Sequence, residues 1–220
     1  MATAGIGRLR RPAFDARASV ELAKLGLPFF PPTRFALAPS ALLTVVNDIL
    51  INRRAVAVEL GAGVSSLYMA HALARHDGKM VSVDADADWL ALVKEMAHEA
   101  GVADRIVTVH APLKPMHDGV AWYDLDAIKG ALGGAQIDLL LVDGPVASGK
   151  ERSRARAPAG PALAPILAPR CAVFLDDIHR PSHARIAREW ESVLDLRFSL
   201  HHARGGFAYG VRGGGFDPII

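Results

Sequence analysis

The chain carries one cysteine, Cys171, in 220 residues. A lone thiol cannot staple a fold, so stability must come from a packed core, and a reducing cytoplasm suits such a chain. Cys171 falls in an apolar strand pattern and reads as packed rather than reactive. A charge excess is also missing. Lys and Arg number 25 against 23 Asp and Glu, a net +2, which gives no global basis for nucleic-acid binding. No apolar run approaches the ~18 residues of a membrane span. The amino terminus lacks the apolar stretch of a signal peptide, and Arg8, Arg10 and Arg11 there read as a solvated tail. Internal repeats and low-complexity tracts are absent.

What is present is apolar residues, 51% of the composition, enough for the core of one α/β domain with a modest extension. Periodicity predicts strands over 55–60, 79–84, 105–110, 137–142 and 171–175. Helices are expected over 65–76, 87–100, 160–168 and 182–193. Such alternation implies a parallel sheet covered on both faces. Ahead of it, residues 1–38 read as irregular around one short helix, Ala16 to Leu25, stopped by Pro28, Pro31 and Pro32. Ser40 is the expected N-cap of a helix running to Asn52. The predicted division is a helical extension, 1–52, and a cofactor-binding domain, 53–220.

The segment 111–136 reads as loop-rich, given Pro112, Pro115, Gly119, Gly130, Gly133 and Gly134. Its Trp122 and Tyr123 either line a substrate pocket or pin the loop to the domain. Near the end, 196–200 and 207–211 flank Ala203-Arg204-Gly205-Gly206 and predict a hairpin.

The chemistry concentrates at strand ends. The run Ala55 to Leu60 contains Glu59 and leads into Gly61-Ala62-Gly63, then a helical period from Leu67. Glycines in a strand-to-helix turn let backbone approach a bound small molecule. The next strand ends in Asp84, where a carboxylate can accept from both hydroxyls of a ribose. Together these features imply an adenosine-containing cofactor. The third glycine of a nicotinamide fingerprint is missing, its place taken by Ser66. A carboxylate at Glu59 suits a cofactor with a cationic amine and sulfonium better than a pyrophosphate.

The pattern Glu59-Leu60-Gly61-Ala62-Gly63, with Asp84 closing the next strand, resembles the class I S-adenosylmethionine-dependent methyltransferases over residues 55–212. The resemblance implies a Rossmann-like three-layer αβα sandwich. Its sheet would be seven-stranded, mostly parallel, with an antiparallel C-terminal hairpin. It assigns the cofactor to Glu59, Gly61, Ala62, Gly63, Ser65, Ser66, Asp84 and Ala85, with Ala111 near the adenine and Asp143 near the reactive end. Many members have glycine where this chain has Ser65, so a Ser65 or Ser66 hydroxyl is expected on the methionine carboxylate.

Asp143, Asp176 and Asp177 close the fourth and fifth strands. Three converging acids repel unless protonated or bridged by a cation, and a hard divalent ion such as Mg²⁺ accepts an all-oxygen set. The arrangement is similar to that of metal-dependent catechol-type O-methyltransferases, with Asp177 in place of the usual Asn. Their catalytic lysine has no evident counterpart, Lys150 being the nearest. Paired strand-end acids also serve as helix caps. His179 is a candidate base beside Asp143 and Asp177, since imidazole exchanges protons near neutral pH. The basic run Gly149 to Arg156, with Arg180, either attracts an anionic acceptor or is a solvated loop, and Arg156 is its first member to test.

The expected activity is methyl transfer to oxygen on a small polar or sugar-like molecule. No nucleic acid or membrane partner is expected, and a homodimer is compatible with the chain. An NAD(P)-dependent oxidoreductase and a non-catalytic cofactor-binding protein on the same fold remain alternatives.

Overall fold

Residues 6–116, 119–149, 151–202 and 206–219 are described by a computed structural model of the chain. Lys150 and the hairpin tip Ala203-Arg204-Gly205 lie outside the described residues. Two helices, α1 (Ile6–Ala23) and α2 (Pro39–Asn52), lead into β1 (Val56–Leu60), α3 (Val64–Leu73), β2 (Lys79–Asp84), α4 (Ala87–Glu99) and β3 (Ile106–His110). A small antiparallel pair, β4 (Leu113–Pro115) and β5 (Ala121–Tyr123), precedes α5 (Leu125–Leu132) and β6 (Ile137–Val142). Then come α6 (Ala159–Leu163), β7 (Leu167–Asp176), α7 (Pro181–Leu194), β8 (Arg197–His201) and β9 (Phe207–Arg212).

Seven strands form one sheet in the order β3-β2-β1-β6-β7-β9-β8. β3, β2, β1, β6 and β7 run parallel, and β9 inserts antiparallel between β7 and β8. The central strands are apolar on both faces because both faces are covered. On β6, Ile137, Leu140 and Val142 point into one core with Ile128, Ile186 and Trp190. Leu139 and Leu141 point into the other with Val45, Ile49, Leu67 and Phe174. Strand order reverses between β1 and β6, which opens a crevice at their carboxyl ends.

Helix α2 shares the second core with β1, β6 and β7, so packing does not set residues 1–52 apart as a separate unit. A buried ion pair fixes it. Arg54 Nε lies 2.7 Å from Asp48 Oδ2, and the Asn52 amide and Tyr209 hydroxyl donate to Asp48 Oδ1 at 2.8 and 3.0 Å.

Several expectations need correction. The first helix covers Ile6–Ala23, so residues 8–11 are helical backbone rather than a tail, and its stop is Gly26 at φ 73° before any of the prolines. Ser40 is not the cap of α2. Pro39, with φ preset for a helix, takes its first turn, and Ala38 is the cap residue. The helix expected over 160–168 ends at Leu163, because Pro165 cannot continue it and Leu167 already pairs with Ile137. The stretch 111–136 is not all loop. It holds β4, β5 and α5, the last capped by Asp124 accepting from Asp126 N and closed by Gly133 at φ 57°. Trp122 and Tyr123 are buried, so they pin this segment to the core.

Candidate active site

The glycine turn is built against the neighbouring strand end. Gly61 has φ 96°, and a Cβ there would meet Gly144 N at 2.9 Å. Gly61 is therefore glycine because the loops after β1 and β6 touch backbone to backbone. A Cβ on Gly144 would in turn collide with the Tyr123 hydroxyl and with Gly61 Cα. Gly63 is different: its extended backbone leaves the Cβ direction open, with nothing nearer than Ser65 Oγ at 3.9 Å. That open side is where a ligand can lie against the turn.

Glu59 lies beneath the turn, fully buried. It accepts from Ser65 Oγ at 2.5 Å, from Ser66 Oγ, and from Ser82 Oγ at 2.9 Å. Burial raises its pKa to about 7, although the three hydroxyls pull it down. The Ser65 and Ser66 hydroxyls, expected on a methionine carboxylate, are spent on Glu59. Glu59 therefore shapes the turn from behind and does not face the crevice as a bare anion.

Asp84 ends β2 at the crevice. Its Oδ2 accepts from Ala62 N at 3.1 Å and its Oδ1 from Asp86 N at 3.0 Å. Each oxygen keeps a further lone pair. Burial raises the Asp84 pKa. Ala111 N donates to Asp84 O at 2.9 Å, and the Ala85 carbonyl lies 3.1 Å from His110 Nε2. Sequence reasoning missed Trp89, whose Nε1 donates to Ala62 O at 2.7 Å and clasps the turn from α4. The signal was its place three residues after the N-cap Asp86.

Across the crevice, Asp143, Asp176 and Asp177 do come together, one oxygen from each lying within 4.8 Å of the others. Asp143 follows β6, Asp176 ends β7, and the backbone leaves the strand at Asp177 with φ 65°. Into their midst comes Arg156, only 4% exposed. Its Nη2 lies 3.0 Å from Asp143 Oδ1 and 3.3 Å from Asp177 Oδ2, and its Nη1 donates to Asp176 O at 3.2 Å. Arg180 Nη2 stands 3.5 Å from Asp177 Oδ2, and its Nη1 donates to the Ala147 carbonyl. His179 Nδ1 is 3.7 Å from Asp177 Oδ1, with the imidazole half exposed.

Burial dominates the titration of this cluster. It lifts Asp176 to about 6, with Arg156 pulling the other way. It holds Asp143 well above the usual carboxyl range, helped by the Asp176 charge. His183, buried under Asp176 with Nδ1 3.3 Å from its carbonyl, is pushed down to about 4. The carboxyl oxygens alone would suit a hard cation. The Arg156 guanidinium lies against the carboxylates of Asp143 and Asp177, while Asp176 Oδ1 is buried without a hydrogen-bond partner. A permanent cation on two of the three acids opposes a divalent ion at the same oxygens, so with Arg156 in this position the set does not fit one.

The sheet order, the glycine turn at its reversal and the strand-end acid at Asp84 together define the class I, Rossmann-like fold of S-adenosylmethionine-dependent methyltransferases. A family model described as a methyltransferase domain matches residues 58–178, and the chain belongs to that family. No curated protein matches it. Among solved structures, it is similar to the O-methyltransferase TomG of Streptomyces achromogenes, in complex with S-adenosylmethionine. Identity is 18% over 91% of this chain and 90% of that one, with a TM-score of 0.60. The O-methyltransferase of Bacillus cereus, in complex with S-adenosylhomocysteine, matches at 15% over 91% and 90%, TM-score 0.60. The methyltransferase PaMTH1 of Podospora anserina, bound to S-adenosylhomocysteine, matches at 13% over 97% and 98%, TM-score 0.58. At these identities the likeness is one of fold.

Proposed function

We propose that the chain transfers the methyl group of S-adenosylmethionine to an oxygen of a small, polar acceptor. The observation that carries this reading is the reversal of strand order between β1 and β6, where the glycine turn, open at Gly63, is tied to Asp84 through Ala62 N and the acid cluster closes the neighbouring strand ends. When bound, the cofactor supplies an electrophilic methyl on a sulfonium. Asp84 accepts the ribose hydroxyls on its remaining lone pairs. The Ala62–Gly63 backbone carries the amino-acid end, held in shape by Glu59, Gly61, Ser65 and Ser66 from behind. Ala85 and Ala111 border the adenine, and Asp143 borders the reactive end.

Methyl transfer needs alignment and, for a hydroxyl, removal of one proton. His179, with Asp177 beside Nδ1, takes up that proton on its other ring nitrogen. The O-methyltransferases similar in fold support oxygen as the acceptor atom. A soluble metabolite in the cytoplasm is the acceptor class we assign.

Calorimetric titration of the purified chain with S-adenosylhomocysteine, NAD⁺ and NADP⁺ tests the reading. Binding of the homocysteine compound is expected, with neither dinucleotide competing. Tighter binding of a dinucleotide would overturn it in favour of a redox enzyme, and no binding of any would leave a non-catalytic protein on the same fold. Transfer of labelled methyl to a panel of hydroxylated metabolites then finds the acceptor.

A further inference from the structure

We propose that Arg156 is the resident cation of the acid cluster: its guanidinium takes the position of a divalent metal between Asp143 and Asp177, and the chain works without one. The inference rests on the methyl-transfer reading only for its catalytic consequence.

The geometry is specific. A divalent ion shared by three carboxylates must lie about 2.0–2.6 Å from one oxygen of each. The oxygens of Asp143, Asp176 and Asp177 that approach one another are the ones such an ion would use. Arg156 Nη2 already sits against two of the three acids, at 3.0 and 3.3 Å. An ion entering that space would lie against a permanent positive charge, since guanidinium does not deprotonate in proteins.

The arginine is also held there. Its neighbour Ala157 accepts from Trp190 Nε1 at 2.9 Å, which ties the backbone to α7. Arg156 O accepts from Ala159 N at 3.2 Å at the start of α6, and Arg154 is paired to Glu189 at 2.7 Å. These anchors fix the backbone on both sides of Arg156, and its guanidinium is held by Asp143, Asp177 and the Asp176 carbonyl. A second cation, Arg180, stands on the outer side of Asp177. With the position filled, lowering of the acceptor hydroxyl's pKa cannot be delegated to an ion, and proton removal falls to His179 and Asp177.

Manganese binding followed by electron paramagnetic resonance tests this directly. The wild-type chain is expected to leave the free-ion signal undiminished at about 1 mM Mn²⁺, whereas Arg156→Met gains a site at least about tenfold tighter. A folded Arg156→Met protein that gains no site would overturn the proposal. Because bare acids can unfold that variant, the wild type carries a second readout. In a sample with ¹⁵N-labelled arginine, the Arg156 Nε–H resonance, assigned by its loss in Arg156→Lys, should survive added Mn²⁺. Bleaching of that resonance, or a stoichiometric wild-type site lost in Asp143→Asn, would overturn the inference. Titration of the same samples with S-adenosylhomocysteine separates the two readings. Retained binding alongside a manganese site sinks only the role of Arg156, and absent binding without a manganese site sinks only the cofactor assignment.

Discussion

Asp84 accepts from the Ala62 and Asp86 amides, and in the proposed function its remaining acceptor capacity takes the ribose hydroxyls. Asp84→Ala should therefore weaken S-adenosylhomocysteine binding by about 1–3 kcal/mol, read by calorimetry on a protein whose circular dichroism is unchanged. An unaltered affinity would remove Asp84 from the cofactor site. Its place was legible because a carboxylate at the end of a parallel strand has only one place to be: the carboxyl edge. The same logic found Asp143, Asp176 and Asp177. The direction of the Ser65 and Ser66 hydroxyls was not legible, because it is set by the need of a fully buried Glu59 for donors. Arg156 stood out in sequence only as one arginine in a basic run. Its burial depends on which strand ends that segment folds across, and spacing carries no such information.

Among the elements, β2 and β6 were readable to the residue, since each is a short, mostly apolar run closed by an acid, Asp84 on one and Asp143 after the other. Helix α5 was hidden by its length of eight residues and by the glycines around it. The border of α6 and β7 was hidden because Leu163 to Leu167 is apolar in either state, and pairing of Leu167 with Ile137 decided it. Helix α2 is held to the sheet by its buried apolar face, and Asp48 fixes its position by joining Arg54, Asn52 and the Tyr209 hydroxyl on β9. Asn52 passes that connection on to the Phe216 amide and carbonyl. Asp48→Ala leaves a buried guanidinium unpaired and should cost about 3–5 kcal/mol in urea unfolding. A loss below about 1 kcal/mol would show that water replaces the pair.

For the whole molecule, the buried acids couple stability to pH. Glu59 titrates at about 7 against an ordinary 4.5, so over that window the folded chain holds a proton that the unfolded chain has lost. Its contribution is full below the lower value and is lost as pH rises through the upper one. Asp176, lifted from 3.8 to about 6, and Asp143, also raised, act in the same sense. His183 opposes them: lowered from 6.5 to about 4, it makes stability rise with pH between those values. The His183 contribution levels off only above about pH 7.5, and between about pH 6.5 and 8 it offsets part of the roughly 1 kcal/mol that Glu59 by itself should remove. Glu59→Gln should flatten that decline in urea midpoints, and an unchanged slope would place the proton elsewhere. Gly61 and Gly144 bear on the same whole, because there the two halves of the crevice share a seam with no side chain between them. A methyl group at either one would press into the backbone of the other, so Gly61→Ala or Gly144→Ala should spread the turn after β1 away from the loop that presents Asp143.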